Sequence, residues 1–134
     1  MKRPLILVTT GDRQFEADAL AAVHQTGHNG ARAADLPETW RLYTADLKKI
    51  ALVIFDLDVD EHSMSFLRLL ARSKPQFAIL AVSSKADTMF DDDAIQGAIF
   101  DHLAKPLSQD EIRKMILKLC EECELSGREA LARW

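Results

Sequence analysis

The sequence predicts an α/β fold, a doubly wound five-stranded parallel sheet with helices on both faces. Short apolar runs alternate with segments of helical periodicity along the 134 residues. The run from Ala51 to Phe55 is apolar at every position, which is typical of a strand buried on both faces. The segments between the runs are long enough for crossovers between parallel strands. We therefore expect one domain over residues 4–124 and a C-terminal tail over residues 125–134.

Turn and capping residues set the limits of the predicted elements in the first half of the chain. Asp12 is a suitable N-cap for a helix over residues 13–25, and Gly27 ends that helix. Pro37 suits the first turn of a second helix. Its inner face is expected to contain Trp40, Tyr43 or Thr44, and Leu47. The predicted strands cover residues 4–9, 31–34 and 50–55.

The second half of the chain continues this alternation. Ser63 or Ser65 is expected to cap a helix that stops at Lys74-Pro75. Ser108 and Glu111 have the spacing of a capping box at the start of a last helix, which runs to about residue 124. The remaining predicted elements are strands over residues 77–82 and 99–104 and, between them, an acidic helix over residues 87–96.

Charge and hydropathy exclude several classes of protein. Seventeen Lys and Arg residues against 21 Asp and Glu residues give a net charge of −4, and no basic stripe indicates direct nucleic-acid binding. No apolar run approaches the length that spans a membrane. The apolar run after Pro4 is short and lacks the small-residue cleavage site of a secretory signal. We therefore expect a cytoplasmic protein that binds neither nucleic acid nor a membrane.

Cys120 and Cys123 form a Cys-x-x-Cys pair within the predicted last helix. A structural zinc site takes four ligands, and the sequence has no second pair of cysteines. Both residues fall on the same helical face as Ile112, Ile116 and Leu119. We therefore interpret both cysteines as apolar residues of the core.

Polar side chains follow four of the predicted strands at their C-terminal ends. Asp12 follows the first strand, Asp56 the third, Ser83 the fourth and Lys105 the fifth. The carboxyl ends of parallel strands meet at one edge of a sheet, where such folds bind their ligands. A carboxylate, a hydroxyl and an ammonium group suit a phosphoryl group there, since the first can attack phosphorus and the others can bind its oxygens. Each residue alone has a simpler interpretation, as a helix cap or a surface charge.

The motifs at these strand ends resemble those of the receiver domains of two-component response regulators. They are Leu5-Ile6-Leu7-Val8, Leu52-Val53-Ile54-Phe55-Asp56-Leu57, Ala81-Val82-Ser83-Ser84 and Asp101-His102-Leu103-Ala104-Lys105-Pro106-Leu107. The last motif is the most specific, because receivers often have Asp-Tyr-Leu-x-Lys-Pro-Phe there. The resemblance covers nearly all of residues 4–124 and implies a flavodoxin-like receiver fold that serves phosphorelay signal transduction.

The resemblance also implies a role for individual residues. Asp56 would be the phosphoacceptor, and Ser83 would supply the hydroxyl that binds the phosphoryl oxygen. Lys105 would pair with the carboxylate and then with the phosphoryl group, and a cis peptide bond would join it to Pro106. His102 stands where the family usually has its aromatic switch residue.

The predicted metal site departs from the family pattern. Receivers normally carry two adjacent acids after the first strand to hold Mg2+, and these positions are Thr10 and Gly11 here. The candidate metal ligands that remain are Asp12, Asp56 and the backbone carbonyl of Asp58. We therefore expect weak Mg2+ binding and slow phosphorylation.

Three functions stay open. The first is a stand-alone receiver, not an enzyme in its own right, that a sensor histidine kinase or phosphotransfer protein phosphorylates and that signals through a downstream protein partner or as a homodimer. The second is a pseudo-receiver that binds partners without phosphotransfer. The third is a phosphatase, because Val53-Ile54-Phe55-Asp56-Leu57-Asp58 also resembles the opening motif of the haloacid-dehalogenase type. There Asp56 would be the nucleophile and Asp58 the general acid, but the Gly-Thr that follows in that family is Val59-Asp60 here.

Overall fold

Five parallel strands form one sheet in the order β2-β1-β3-β4-β5. The computed structural model describes residues 5–45, 50–72, 78–84, 96–97 and 99–125. The strands are β1 (Leu5–Thr9), β2 (Asn29–Ala33), β3 (Ile50–Asp56), β4 (Ala78–Ser83) and β5 (Ile99–Ala104). The predicted doubly wound parallel sheet is therefore confirmed. The small residues of β2 gave a weak strand signal, and this strand begins earlier than predicted because Asn29 pairs with Leu5 at the start of β1.

The helices that lie entirely within the described residues are α1 (Arg13–Gln25), α2 (Leu36–Ala45), α3 (Ser63–Arg72) and α4 (Gln109–Leu125), and a short 3-10 helix covers Leu57–Val59. Two predicted caps are confirmed. The Asp12 carboxylate accepts the Gln14 and Phe15 backbone N–H groups at the start of α1. Ser108 and Glu111 exchange side-chain to backbone hydrogen bonds before α4, as in a capping box.

The start of α3 differs from the prediction. Ser63 is the first residue of the helix and not the residue that caps it. The hydrogen bonds next to this helix start involve Asp60 in the preceding turn. The Asp60 carboxylate accepts the His62 N–H, and the Ser63 hydroxyl donates to the Asp60 carbonyl at 2.7 Å. The sequence favoured a serine as the cap of this helix, because the spacing of residues did not reveal that Asp60 makes the hydrogen bonds of the preceding turn.

Two hydrophobic layers cover the two faces of the sheet. On one face, α1 and α4 pack over Ile6, Val8, Leu52 and Ile54. On the other face, the side chains of α2 and α3 pack over Leu7, Val53 and Phe55. All seven residues of β3 are buried, as its unbroken apolar run predicted. The central strand is thus shielded from water along its whole length, including its last residue, Asp56.

The inner face of α2 was predicted incorrectly at one position. Trp40 is 38% exposed, while Thr39 and Tyr43 are buried. The Trp40 ring lies at the border of the core, where it contacts Phe66 edge to face at 6.3 Å. Trp40 therefore covers the edge of α3 without entering the core.

Several predictions fall on residues outside the described ones. They concern Pro4, Leu47, most of the predicted helix over residues 87–96, nearly all of the tail, and the side chains of Cys120 and Cys123. Among the helices that the structure does describe, none has the length and apolar character needed to cross a membrane.

Candidate functional site

Asp56 ends β3 at the C-terminal edge of the sheet, and only 1% of it is exposed. Burying an ionised carboxylate costs on the order of several kcal/mol unless hydrogen-bond donors replace the water molecules that it loses. Three donors do so. Its Oδ2 accepts the Thr10 hydroxyl at 2.6 Å and the Lys105 ammonium at 2.7 Å, and its Oδ1 accepts the Asp58 N–H at 2.9 Å. Asp56 therefore caps the following 3-10 helix and also forms the centre of the site.

Lys105 reaches Asp56 from the loop after β5. Its backbone N–H donates to the Ser83 carbonyl at 2.8 Å, and its peptide bond to Pro106 is cis, as the motif predicted. The side chain is only 15% exposed. It extends past the Phe15 ring, with Nζ 5.4 Å from the ring centroid. The end of β4 and the start of α1 thus hold this ammonium group in place.

Three carboxylates surround the Lys105 ammonium. Its Nζ lies 2.7 Å from Asp56 Oδ2, 3.5 Å from Asp58 Oδ2 and 3.6 Å from Asp12 Oδ2. Burial alone would lower the pKa of Lys105, but the hydrogen bond to Asp56 and the charges of Asp56, Asp58 and Asp12 outweigh burial and raise it. Lys105 is therefore fully charged at neutral pH.

Asp12 has two functions at this edge. Its Oδ1 accepts the N–H groups of Gln14 and Phe15, while its Oδ2 faces Lys105. The hydrogen bond from Phe15 is the main reason that the pKa of Asp12 lies below its usual value. Burial opposes this shift, but the Lys105 charge and the hydrogen bond from Gln14 lower the pKa further. This carboxylate is therefore ionised at neutral pH and is committed to the N-terminus of α1.

Thr10 belongs to the site, although the sequence suggested it only as a missing acid. The side chain is 1% exposed. Its hydroxyl donates to Asp56 and accepts the Asp12 backbone N–H at 3.0 Å, so its one proton is used on Asp56. Its position directly after β1, at the same edge as Asp56, was the signal in the sequence that pointed to this role.

Ser83 and His102 lie on neighbouring strands and contact each other. The Ser83 hydroxyl is 2.9 Å from His102 Nε2, and Ser83 is buried. Asp56 pairs with Val82, so Ser83 lies one residue further toward the C-terminal edge. The structure thus joins the predicted phosphoryl-binding hydroxyl to the predicted switch residue by a direct hydrogen bond.

Asp58 is held by Ser84, a residue to which the sequence prediction assigned no role. Its Oδ2 accepts the Ser84 backbone N–H at 2.9 Å, and its Oδ1 accepts the Ser84 hydroxyl at 3.2 Å. These bonds link the turn after β3 to the end of β4. A serine next to Ser83 is easily interpreted as a capping or turn residue, so the sequence contained no signal for the contact between Ser84 and Asp58.

The described residues fit a divalent cation poorly. Within this part of the chain, no three His, Cys, Asp or Glu side chains form a group that could hold a metal ion. Oδ1 of Asp12 and both oxygens of Asp56 and Asp58 accept hydrogen bonds, and the Lys105 ammonium lies among the three carboxylates. A magnesium ion takes oxygen ligands with free lone pairs in near-octahedral geometry, which this arrangement does not offer.

Comparison with solved structures identifies the fold. The chain is similar to a response regulator from Thermotoga maritima, with a TM-score of 0.75 and 19% identity over 89% of this chain and 98% of that one. It is also similar to a CheY-like response regulator receiver domain protein from Methanospirillum hungatei JF-1, with a TM-score of 0.77 and 15% identity over 94% of this chain and 100% of that one.

A longer protein contains the same fold as one part. NtrX from Brucella abortus, solved in complex with ADP, matches 92% of this chain with 28% of its own, at 18% identity and a TM-score of 0.74. No protein-family model matches the sequence, and no curated protein does. The structural similarity confirms the predicted receiver fold. At these sequence identities it is evidence for the fold alone.

Proposed function

We propose that this chain is a signal-transduction receiver domain that accepts a phosphoryl group on Asp56 and passes the signal on by protein contact. The observation that carries the proposal is the pairing of the buried Asp56 carboxylate with the Lys105 ammonium, at 2.7 Å, at the C-terminal edge of a receiver-type sheet. A buried carboxylate with a fixed ammonium beside it is suited to attack an electrophilic phosphorus.

The chemistry requires the residues at this edge and a phosphodonor. A carboxylate oxygen of Asp56 forms a bond to the phosphorus of an acyl phosphate or of a phosphohistidine. The bond from phosphorus to the donor breaks, and the donor leaves with the electron pair, so that Asp56 becomes an acyl phosphate. Lys105, which carries a full positive charge, offsets the added negative charge on the phosphoryl oxygens. The Ser83 hydroxyl is the donor that we assign to one of those oxygens.

The partners follow from this proposal. A sensor histidine kinase or a phosphotransfer protein would supply the phosphoryl group in the cytoplasm, and a downstream protein or a second copy of the chain would read the outcome. These assignments rest on the receiver fold as an analogy, which is a weaker argument than the geometry of the site.

Intact mass tests the proposal directly. Incubation with acetyl phosphate is expected to add the mass of one phosphoryl group to the protein, and Asp56→Asn is expected to prevent the addition. Lys105→Gln should slow labelling, because the ammonium that offsets the phosphoryl charge is removed. Labelling that persists in Asp56→Asn would refute the assignment of the phosphoacceptor.

A second candidate function is that of a pseudo-receiver, which binds partners without phosphotransfer. The hydrogen bond from Thr10 favours it, because this bond and the Lys105 ion pair both occupy Oδ2 of the proposed nucleophile. A complete lack of labelling by acetyl phosphate, together with preserved partner binding in Asp56→Asn, would select this function.

The phosphatase predicted as a third alternative stays a prediction. In it Asp58 would act as a general acid, and the structure holds both Asp58 oxygens with hydrogen bonds from Ser84. Catalytic turnover of p-nitrophenyl phosphate, lost in both Asp56→Asn and Asp58→Asn, would select the phosphatase over the two receiver functions.

A further inference from the structure

We propose that Lys105 is a built-in cation, which neutralises the carboxylates of this site in the place that a divalent metal ion would otherwise take. The ammonium lies within 3.6 Å of the three carboxylates that the described residues bring together at this edge, those of Asp12, Asp56 and Asp58. The inference concerns the same residues as the proposed function, but its test uses cation binding and stability and does not depend on phosphorylation.

The hydrogen bonds to the three carboxylates follow a regular pattern. Each carboxylate accepts two neutral donors and shares the Lys105 ammonium with the other two. The neutral donors are the Gln14 and Phe15 N–H groups for Asp12, the Thr10 hydroxyl and Asp58 N–H for Asp56, and the N–H and hydroxyl of Ser84 for Asp58. This set satisfies the carboxylates without a metal ion and leaves few oxygen lone pairs for one, chiefly those of Asp12 Oδ2, which faces the ammonium at 3.6 Å.

Position and burial make the ammonium hard to displace. Lys105 is only 15% exposed, its backbone is bonded to Ser83, and its side chain extends past Phe15. A divalent cation bound to the same carboxylates would lie close to Nζ, and the repulsion between the two positive charges is expected to weaken its binding at least about tenfold. The charge on Lys105 therefore weakens the binding of a metal ion at this site, and removing that charge is expected to strengthen it.

Lys105→Gln tests this inference, because it removes the charge and keeps a polar side chain that can donate hydrogen bonds. Isothermal titration with MgCl2 is expected to show affinity for the variant at least about tenfold tighter than for the unaltered protein. The melting temperature of the variant should rise with Mg2+, while that of the unaltered protein should hardly change. Adding Asp58→Asn to Lys105→Gln should remove most of the gained affinity, since one of the three carboxylates is then neutral.

Lys114→Gln is the matched control. Lys114 is 71% exposed and pairs with Asp110 on α4, so its loss changes the net charge equally without touching the site. It should bind Mg2+ as weakly as the unaltered protein. Equal Mg2+ affinity of the unaltered protein, Lys105→Gln and Lys114→Gln, whether tight or weak, would overturn the inference. If Lys105→Gln does not fold without metal, Mg2+ is expected to restore its folding, and failure of Mg2+ to do so would also overturn it.

Discussion

Replacing Thr10 by valine removes one hydroxyl from the site at nearly constant volume. That hydroxyl donates to Asp56 at 2.6 Å in a position where both residues are 1% exposed, so water cannot easily replace it. Hydrogen bonds to charged groups contribute about 1.5–3 kcal/mol to the free energy of unfolding. At roughly 2.1 cal/mol/K per residue, 134 residues give an unfolding entropy of about 0.28 kcal/mol/K. Thr10→Val should therefore lower the melting temperature by about 5–10 °C.

Thr9→Val is a matched control one residue away. Thr9 is equally buried, but its hydroxyl donates at 2.9 Å to the neutral oxygen of Thr39, because Thr39 uses its own proton on the Asp35 carbonyl. Removing that neutral bond should cost about 0.5–1.5 kcal/mol. Urea unfolding of both variants at neutral pH measures the difference. An equal loss in the two variants would refute the reasoning, because Asp56 would then gain nothing special from Thr10.

A double-mutant cycle assigns the effect to the pair. Thr10→Val should cost much less in an Asp56→Asn background, since the acceptor there no longer carries a charge. We expect a coupling free energy on the order of 1–3 kcal/mol between the two positions. Additive effects would mean that the hydroxyl acts through packing and not through the carboxylate.

Three further predictions concern the neighbouring charges. The pKa of Lys105 in the folded protein lies above its ordinary value of 10.5, so its contribution to stability is complete below pH 10.5 and is lost as the pH rises through the folded pKa. In urea titrations, the difference in stability between the unaltered protein and Lys105→Gln should therefore become smaller as the pH rises above 10.5. A difference that stays constant would contradict this prediction. Asp12→Ala should cost about 1 kcal/mol through the lost N-cap. Since the folded pKa of Asp12 lies below its ordinary 3.8, that cost should be constant above pH 3.8 and fade as the pH falls through the folded pKa, and a cost that persists in acid would count against it. Thr10→Asp with Gly11→Asp should tighten Mg2+ binding in calorimetry and reduce metal-free stability, because added carboxylates repel by roughly 1–4 kcal/mol per pair at about 4 Å; unchanged affinity would be the contrary result. The second substitution has room, since the atoms nearest a Cβ on Gly11 are the Ala34 oxygen at 3.8 Å and Val59 Cγ2 at 3.9 Å.

The sequence predicted the sheet and the edge at which the site forms. Strand periodicity identified β3, and the rule that parallel strands end at one edge brought Asp56, Ser83 and Lys105 together correctly. The directions of the side chains could not be predicted from the sequence, because they depend on the register between strands. The sequence therefore identified Thr10 only as the loss of a metal-binding acid, whereas the structure shows that its hydroxyl donates a hydrogen bond to Asp56.

Two other differences have the same physical origin. Ser84 binds Asp58 across 26 residues of sequence, and no local pattern encodes such a contact. Trp40 was assigned to the core because it is large and apolar, but its ring lies at the border of the layer beside Phe66. Spacing predicts which face of a helix is buried, but the neighbouring helix decides how deep each residue on that face lies.

The bonds to Asp56 join parts of the chain that are far apart in sequence. Thr10 is 46 residues away and Lys105 is 49 residues away on the opposite side. Contacts of this separation form late in folding, because the intervening loops must close first. During synthesis, a chain that has reached β4 contains four of the five strands, but it does not yet contain Lys105, whose ammonium pairs with the Asp56 carboxylate. We therefore expect a fragment that ends after Ser84 to remain unfolded until the segment with β5 and Lys105 is supplied, and a cooperative melting transition of that fragment alone would contradict this order of assembly.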